Sequence, residues 1–270
     1  KAAAGGGGRG MRVVHDASEL CQALQITRNE AQNGFGDDRI YLEKYLTEPR
    51  HIEFQVLSDG AHAIHLGSRD CSVQRRHQKL IEEAPAAFID PDLLEKIAQK
   101  CVETCLLMKY QGVGTFEFLY ERGHFYFIEM NTRVQVEHPV TEMVTGIDII
   151  QTQLQIAGGE PLTIQQKDIC IQGHAIECRI NAEDPTTFLP SPGKIQFYHA
   201  PGGIDVRVDS HLYAGYTVPP YYDSLLAKVI VKASDRMLAI NKMQHALEEM
   251  IVDGIRTNIP LHRDRIFKHP

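Results

Sequence analysis

The sequence has no apolar run long enough to span a bilayer. It has no basic, apolar and small-residue leader of the secretory kind either. A membrane is therefore not among the expected partners. Positive charge is not in excess: the formal net charge is −7, which gives no reason to expect nucleic acid. The six cysteines (Cys21, Cys71, Cys101, Cys105, Cys170, Cys178) form no zinc-type CxxC pair. Cys101 and Cys105 sit one helical turn apart and read as packing. That usage points to a reduced, cytoplasmic compartment. No GK[ST] follows the Gly-rich start, so it is not a P-loop. Gly5, Gly7 and Gly10 formally match G-x-G-x-x-G, but no strand precedes them and no βαβ unit follows. No internal repeat is present. There is no initiator Met, and the sequence begins at Lys1 inside what reads as a functional loop, as a piece of a longer chain would.

What is there suits a globular protein. The chain has 270 residues, 43% hydrophobic and 23% charged, enough for one large or two ordinary domains. Lys1–Met11 reads either as a flap whose backbone N–H groups, with Lys1 and Arg9, cover phosphates, or as a linker. Asp16-Ala-Ser-Glu19 has capping-box spacing and opens a helix. Ile40–Leu46 reads as a strand, with Glu43 and Lys44 at its end as ligand contacts or part of a hinge. His51–Leu57 and Ala61–Leu66 form a hairpin. Arg69–Lys79 packs Arg69, Arg75, Arg76, His77 and Lys79 into eleven residues, either a solvated face or, in an acidic protein, a site for an anion. Pro91–Tyr110 is an amphipathic helix and Pro139–Gly158 another. After Gly173, short strands with frequent Gly and Pro read as a separate, mostly β unit, closed by a helix over Met237–Met250.

The stretch Thr115–Val144 holds the strongest pattern. Thr115–Tyr120 and Phe125–Met130 read as a β-hairpin. With a three-residue loop Arg122-Gly123-His124, Glu121 faces Phe125, Leu119 faces Phe127 and Glu117 faces Glu129. Both carboxylates then share one face. Like charges side by side destabilise a hairpin unless a cation sits between them. Mg²⁺, which prefers hard oxygen ligands, would serve. The same parity runs on through Asn131, Arg133, Gln135 and Glu137. An ordinary solvated face is the competing reading, against which stands the apolar opposite face of Tyr126, Ile128 and Met130.

Seven ordered motifs resemble the biotin carboxylases of the ATP-grasp family: KAAAGGGGRGM (1–11), EKYLTEPRHIE (43–53), RDCSVQRRHQKLIEEAP (69–85), GTFEFLY (114–120), FIEMNTRVQVEHPVTEMVTG (127–146), HAIECRINAEDP (174–185) and PPYYDSLLAKVIV (219–231). The resemblance covers essentially the whole chain. It is strongest to the biotin carboxylases that form a separate subunit within acetyl-CoA carboxylases of the multi-subunit kind. It implies an α+β fold: an ATP-grasp unit, with a small flap lobe (partial, 1–45) and a larger catalytic lobe (46–160), then a mostly β biotin-carboxylase C-terminal region (174–270, incomplete). The family's N-terminal Rossmann-like domain is absent from the sequence.

The resemblance also implies roles. Lys1, Gly7 and Gly8 would bind ATP phosphates. Glu43, Lys44 and Leu46 would line the adenine edge, with His51, Gln74 and His77 nearby. Glu117, Glu129 and Asn131 would hold Mg²⁺ or Mn²⁺. Lys79, Arg133, Gln135 and Val136 would hold bicarbonate, and Glu137 would be its general base. Arg179 would face the ureido oxygen of biotin, with Asp223 near it. The implied activity is ATP-dependent carboxylation of biotin on a biotin carboxyl carrier protein, the first half-reaction of acetyl-CoA carboxylase in fatty acid synthesis. Carboxyltransferase subunits and a second copy of the chain are the implied partners. Three readings compete: the biotin carboxylase part of another acyl-CoA or pyruvate carboxylase, an ATP-grasp ligase that activates a different carboxylate, and an inactive fragment serving as an interaction module.

Overall fold

The carboxylate of Asp16 accepts the backbone N–H of Ser18 at 2.8 Å and starts a 3-10 turn that runs into helix α1, Leu20–Phe35. Gly36, with φ 70°, ends it. These residues belong to the first of two units in the computed structural model, which describes residues 1–5 and 10–266. That unit is Lys1–Pro49 with Gln74–Gln78; the second is Arg50–Val73 with Lys79–Pro270. Gly7 and Gly8 lie outside the described residues. Ile40–Leu46 is not a strand; its pairing is the single bridge Ala2↔Ile40. One parity, Tyr41, Glu43 and Tyr45, is exposed throughout; on the other, half-buried Ile40 and buried Leu46 flank exposed Leu42 and Lys44.

The second unit contributes strands β1 (Arg50–Asp59), β2 (Ala63–Arg75), β3 (Gln78–Ala84), β4 (Gln111–Glu121), β5 (His124–Asn131), β6 (His174–Asn181), β7 (Gly193–Lys194), β8 (Phe197–His199), β9 (Val206–Ser210), β10 (Thr217–Val218), β11 (Leu225–Ala233) and β12 (Ile251–Asp253). Its helices are α2 (Pro91–Met108), α3 (His138–Thr145), α4 (Ile149–Ala157), α5 (Arg236–Glu249) and α6 (Ile259–Ile266). Eight strands form one sheet in the order β5-β4-β1-β2-β3-β6-β11-β9. The β-rich stretch after Gly173 thus adds β6, β9 and β11 to the sheet that β1–β5 begin. No helix among the described residues is long and apolar enough to cross a membrane.

Alternation divides the sheet into an apolar and a polar face. On β1, Ile52, Phe54 and Val56 pack with Ala98, Cys101 and Cys105 of α2. On β6, Ile176, Cys178 and Ile180 pack with Ala239, Met243, Ala246 and Leu247 of α5. Each Ile, Phe, Val, Leu or Met among these contributes about 1.5–3 kcal/mol on burial. The residues between them (Glu53 and Gln55 on β1, Glu177 and Arg179 on β6) face the other way. Part of that second face is covered by α3, whose Val140 and Val144 pack on Ala84, Ala175 and Ile230.

Three further expected elements differ. The polar run after Arg69 is the outer half of β2, turning at Arg76 and His77 (φ 49° and 64°) into β3. Pro139–Gly158 is two helices, because Gly146 ends α3 with φ 73° and the Asp148 carboxylate restarts the chain by accepting the Gln151 N–H at 2.7 Å. The β4–β5 loop has two residues, Arg122 and Gly123, both with positive φ (51° and 81°), as a type I′ turn requires. Glu121 therefore faces His124, and Leu119 faces Tyr126. A register shift between Glu117 and Phe118 then restores Glu117 opposite Glu129.

Candidate active site

Four neighbouring strands and the segment entering α3 bring their polar residues together. Arg69 of β2 is fully buried. Its guanidinium donates to Glu53 (3.1 Å), Gln55 (2.7 Å), Thr115 (3.2 Å), Gln135 (3.1 Å) and Thr141 (2.9 Å). It ties β1, β4 and α3 to the segment carrying Gln135.

Lys79 of β3 stands over this platform. Its ammonium donates to Glu53, to Glu137 at 2.6 Å and to Glu117 at 3.1 Å. Burial would lower its pKa, but the carboxylates of Glu53, Glu137 and Glu117 raise it well above the usual lysine range. Burial likewise opposes ionisation of Glu53, yet the hydrogen bond from His51 and the charges of Lys79 and Arg69 hold it well below the usual carboxylate range. His51 Nε2 lies 3.3 Å from Glu53 and 3.1 Å from Glu117. Burial pulls that imidazole down, and the two carboxylates outweigh it, raising it to about 9.

Glu137, buried just before α3, accepts from two cations. Lys79 reaches one oxygen, and Arg179 Nη2 reaches the other at 2.9 Å. Arg179 Nε donates in turn to Glu82 at 2.6 Å. Across the β3–β6 ladder Glu82 faces Glu177, and both are fully buried. Burial pushes Glu82 up to about 7, with Arg179 pulling against it. Burial and the neighbouring Glu82 push Glu177 well above the usual range.

Of the residues singled out from the sequence, Lys79, Glu117, Asn131, Gln135, Glu137, Arg179 and His51 form one connected network. Asn131 and Gln135 donate to Glu117 Oε1 at 3.0 Å and 2.7 Å. Glu129 is exposed, opposite Glu117. Arg133 is exposed and reaches Asn131 Oδ1 at 3.2 Å, not Glu137. The carbonyl of Val136 accepts Lys228 Nζ at 2.7 Å. Asp223 is exposed and accepts the N–H of Leu225 at 2.9 Å. In the first unit, Lys1 Nζ lies 3.8 Å from Glu43; Leu46 is buried and Lys44 exposed. Gln74, half-buried, and His77, exposed, group with that unit.

The sequence reading gave no role to Glu53, Glu82, Glu177 or Lys228. For Glu53 the signal is the alternation of Ile52, Phe54 and Val56 against Glu53 and Gln55, the same alternation that puts Glu117 on the polar face. Glu82 and Glu177 gain their meaning from the β3–β6 pairing, which joins residues 95 positions apart and leaves no local trace.

Two carboxylates in register, with Asn131 beside Glu117, offer oxygen donors of the kind Mg²⁺ takes, though Asn131 here turns its Nδ2 to Glu117 and its Oδ1 to Arg133. The groups that bring three His, Cys, Asp or Glu ligand atoms within 4.8 Å of one another among the described residues are nevertheless His51, Glu53 and Glu117, and Glu53, Cys71 and Glu137. In both groups Glu53 is held by Lys79 or Arg69, so ammonium and guanidinium already supply the countercharge there.

Comparison with known proteins adds to this geometry. The family described as carbamoyl-phosphate synthase L chain, ATP binding domain, matches residues 1–165, and that described as biotin carboxylase C-terminal domain matches 177–270. A biotin carboxylase of Pseudomonas aeruginosa is 64% identical over 267 residues, 98% of this chain and 60% of that protein. A pyruvate carboxylase subunit of Methanothermobacter thermautotrophicus is 54% identical over 265 residues, 97% of this chain and 54% of that protein. Among solved structures, the biotin carboxylase–β-γ-ATP complex of Campylobacter jejuni superposes with a TM-score of 0.94 at 51% identity, covering 98% of this chain and 60% of that one. The biotin carboxylase domain dimer of Hydrogenobacter thermophilus 2-oxoglutarate carboxylase, with MgADP, ADP and bicarbonate, gives 0.93 at 49% identity, covering 98% and 59%. The chain spans about 60% of the length of the first three curated relatives it matches. With both family matches in sequence order over an ATP-grasp fold, the chain belongs to the biotin carboxylase family.

Proposed function

We propose that the protein, with its complete chain, is an ATP-dependent ligase that carboxylates biotin with bicarbonate through carboxyphosphate. The observation that carries this is Glu137, a buried carboxylate held at 2.6 Å by Lys79 and at 2.9 Å by Arg179. A buried carboxylate flanked by two cations suits a base whose substrate is itself an anion. Lys79 and Arg133 bind bicarbonate, with Gln135 and the main chain at Val136 orienting it. Glu137 takes its proton. A bicarbonate oxygen attacks the γ-phosphorus and ADP leaves. Mg²⁺, when bound by Glu117, Glu129 and Asn131, neutralises charge on the phosphates. Carboxyphosphate breaks at its C–O bond into CO₂ and phosphate, and phosphate accepts the N1′ proton of biotin. Arg179 donates to the ureido oxygen as its negative charge develops, and the biotin nitrogen adds CO₂.

The solved relative with MgADP and bicarbonate supports this ligand set, and its dimeric state supports a homodimer here. We place the activity in the cytoplasm, in line with the six free cysteines, and in acetyl-CoA carboxylase, with a biotin carboxyl carrier protein as acceptor and carboxyltransferase subunits downstream. The 64% identity to a protein named biotin carboxylase favours that assignment. A pyruvate carboxylase role is the second reading, favoured by the 54% identity to part of an enzyme of that name. Rates measured with each carrier protein separate the two.

Isotope transfer tests the chemistry. With ¹⁸O-bicarbonate, attack on the γ-phosphorus leaves one ¹⁸O in the inorganic phosphate. Phosphate without label means that water, not bicarbonate, is the nucleophile, and the reading fails.

A further inference from the structure

Arg179 is held from three sides. Its carbonyl accepts Asn258 Nδ2 at 2.9 Å and His262 Nε2 at 2.7 Å, both residues lying 79 or more positions away. Its guanidinium gives Nε to Glu82 and Nη2 to Glu137. Nη1 and the second N–H of Nη2 have no hydrogen-bond partner among the described residues, which leaves them as donors for a substrate.

The two carboxylates are not equivalent. Under the proposed function Glu137 accepts a proton and contacts bicarbonate, so its hold on Arg179 weakens within each turnover. Glu82 has no such duty. It sits on β3, fully buried, with one oxygen on Arg179 and the other without a hydrogen-bond partner. Opposite it, neither carboxyl oxygen of Glu177 has one. No polar group competes for the oxygen that grips Arg179, and in such surroundings a charge-assisted hydrogen bond is at its strongest.

We propose that Glu82 is a positioning residue: a standing anchor that keeps the Arg179 guanidinium aimed at the biotin site while Glu137 changes partners. This rests on the biotin carboxylase reading and adds to it a residue that acts only through Arg179.

The test compares Glu82→Asp with Glu82→Gln in the complete chain. Aspartate keeps the charge and withdraws it by about 1.5 Å, one C–C bond. Glutamine keeps the reach and the acceptor oxygen, gives up the charge, and turns its amide toward the open oxygens of Glu177. The readout is the ratio of biotin-stimulated to biotin-independent ATP cleavage, both with bicarbonate. Misplacing a reacting group by an ångström costs on the order of 10²-fold, so Glu82→Asp should lower the ratio by that much. Glu82→Gln should lower it by less than ~10-fold, the scale of weakening one charged hydrogen bond. An unchanged ratio in Glu82→Asp, a larger loss in Glu82→Gln, or an equal fall of both activities overturns the proposal.

A second readout needs no activity. The Nε–H of Arg179, assigned by its loss in Arg179→Lys, should be a slowly exchanging ¹⁵N-detected signal that survives in Glu82→Gln and disappears in Glu82→Asp. A signal kept in Glu82→Asp overturns the anchor. A parent protein without bicarbonate-dependent cleavage overturns the function, and the ¹⁵N signal still decides the anchor.

Discussion

At the scale of single residues, the account depends on which charges face which. Under the proposed function Arg179 is the donor aimed at developing charge, so Arg179→Ala should lower biotin-stimulated turnover by about 10²–10³-fold, the usual effect of losing one such donor. Nucleotide affinity, measured by titration, should stay at the parent value; a parallel loss of both would remove Arg179 from the biotin step. Glu117 plays the opposite part. Its carboxylate is tied to Lys79, Asn131 and Gln135 and faces Glu129. Glu117→Gln should weaken Mg·nucleotide binding by ~10-fold or more, the scale seen when a metal site is perturbed. Titrations that overlay the parent would take it out of the metal site. The pairing of Glu117 with Glu129 is reached from a three-residue loop; the two-residue turn alone would set Glu117 opposite Ile128, and the register shift after Glu117, which alternation does not encode, cancels the difference. Glu53 was legible in principle by alternation. Glu82 and Glu177 were not, since nothing within ten residues of either announces that the two strands meet.

Elements hold these residues in place, and two of them can be tested by stability. Arg69 locks β2 to β1, β4 and α3 from a fully buried position. Removing one partner of a buried ion pair costs about 3–5 kcal/mol, so Arg69→Met should lower the unfolding free energy in urea by that order. A change below ~0.5 kcal/mol, the scale of surface substitutions, would mean that Arg69 is not part of the platform. On α6, His262 is fully buried, and burial lowers its imidazole to about 4 from an ordinary 6.5. Between those values the unfolded chain binds the extra proton. The stability His262 contributes is therefore complete above pH 6.5 and lost as pH falls toward 4, by about 3 kcal/mol in all. His262→Gln keeps a donor for the Arg179 carbonyl and should show a flatter fall of melting temperature over that range; an unchanged profile would mean that His262 takes up its proton in the folded state as readily as in the unfolded one. The misread elements share a cause. A turn of two residues instead of three, a helix broken at Gly146, and a strand running on to Arg75 are each decided by a backbone conformation at one or two positions, which hydrophobic pattern does not encode.

For the whole molecule, the β6–β9–β11 strands of the C-terminal region and the β1–β5 strands make one sheet. That continuity sets Arg179 of β6 beside Glu82 of β3 and lets Arg179 also reach Glu137. Family motifs made the ATP-grasp and C-terminal parts recognisable; the shared sheet was not legible, because β3–β6 pairing is non-local. The central claim is that this one polar network serves bicarbonate and biotin together. It is tested most directly by Mg·ATP cleavage in the complete chain, with and without bicarbonate and free biotin. The account predicts turnover that requires bicarbonate and rises when biotin is added. Turnover that needs bicarbonate but ignores biotin would contradict the role given to Arg179, and turnover indifferent to bicarbonate would contradict the account as a whole.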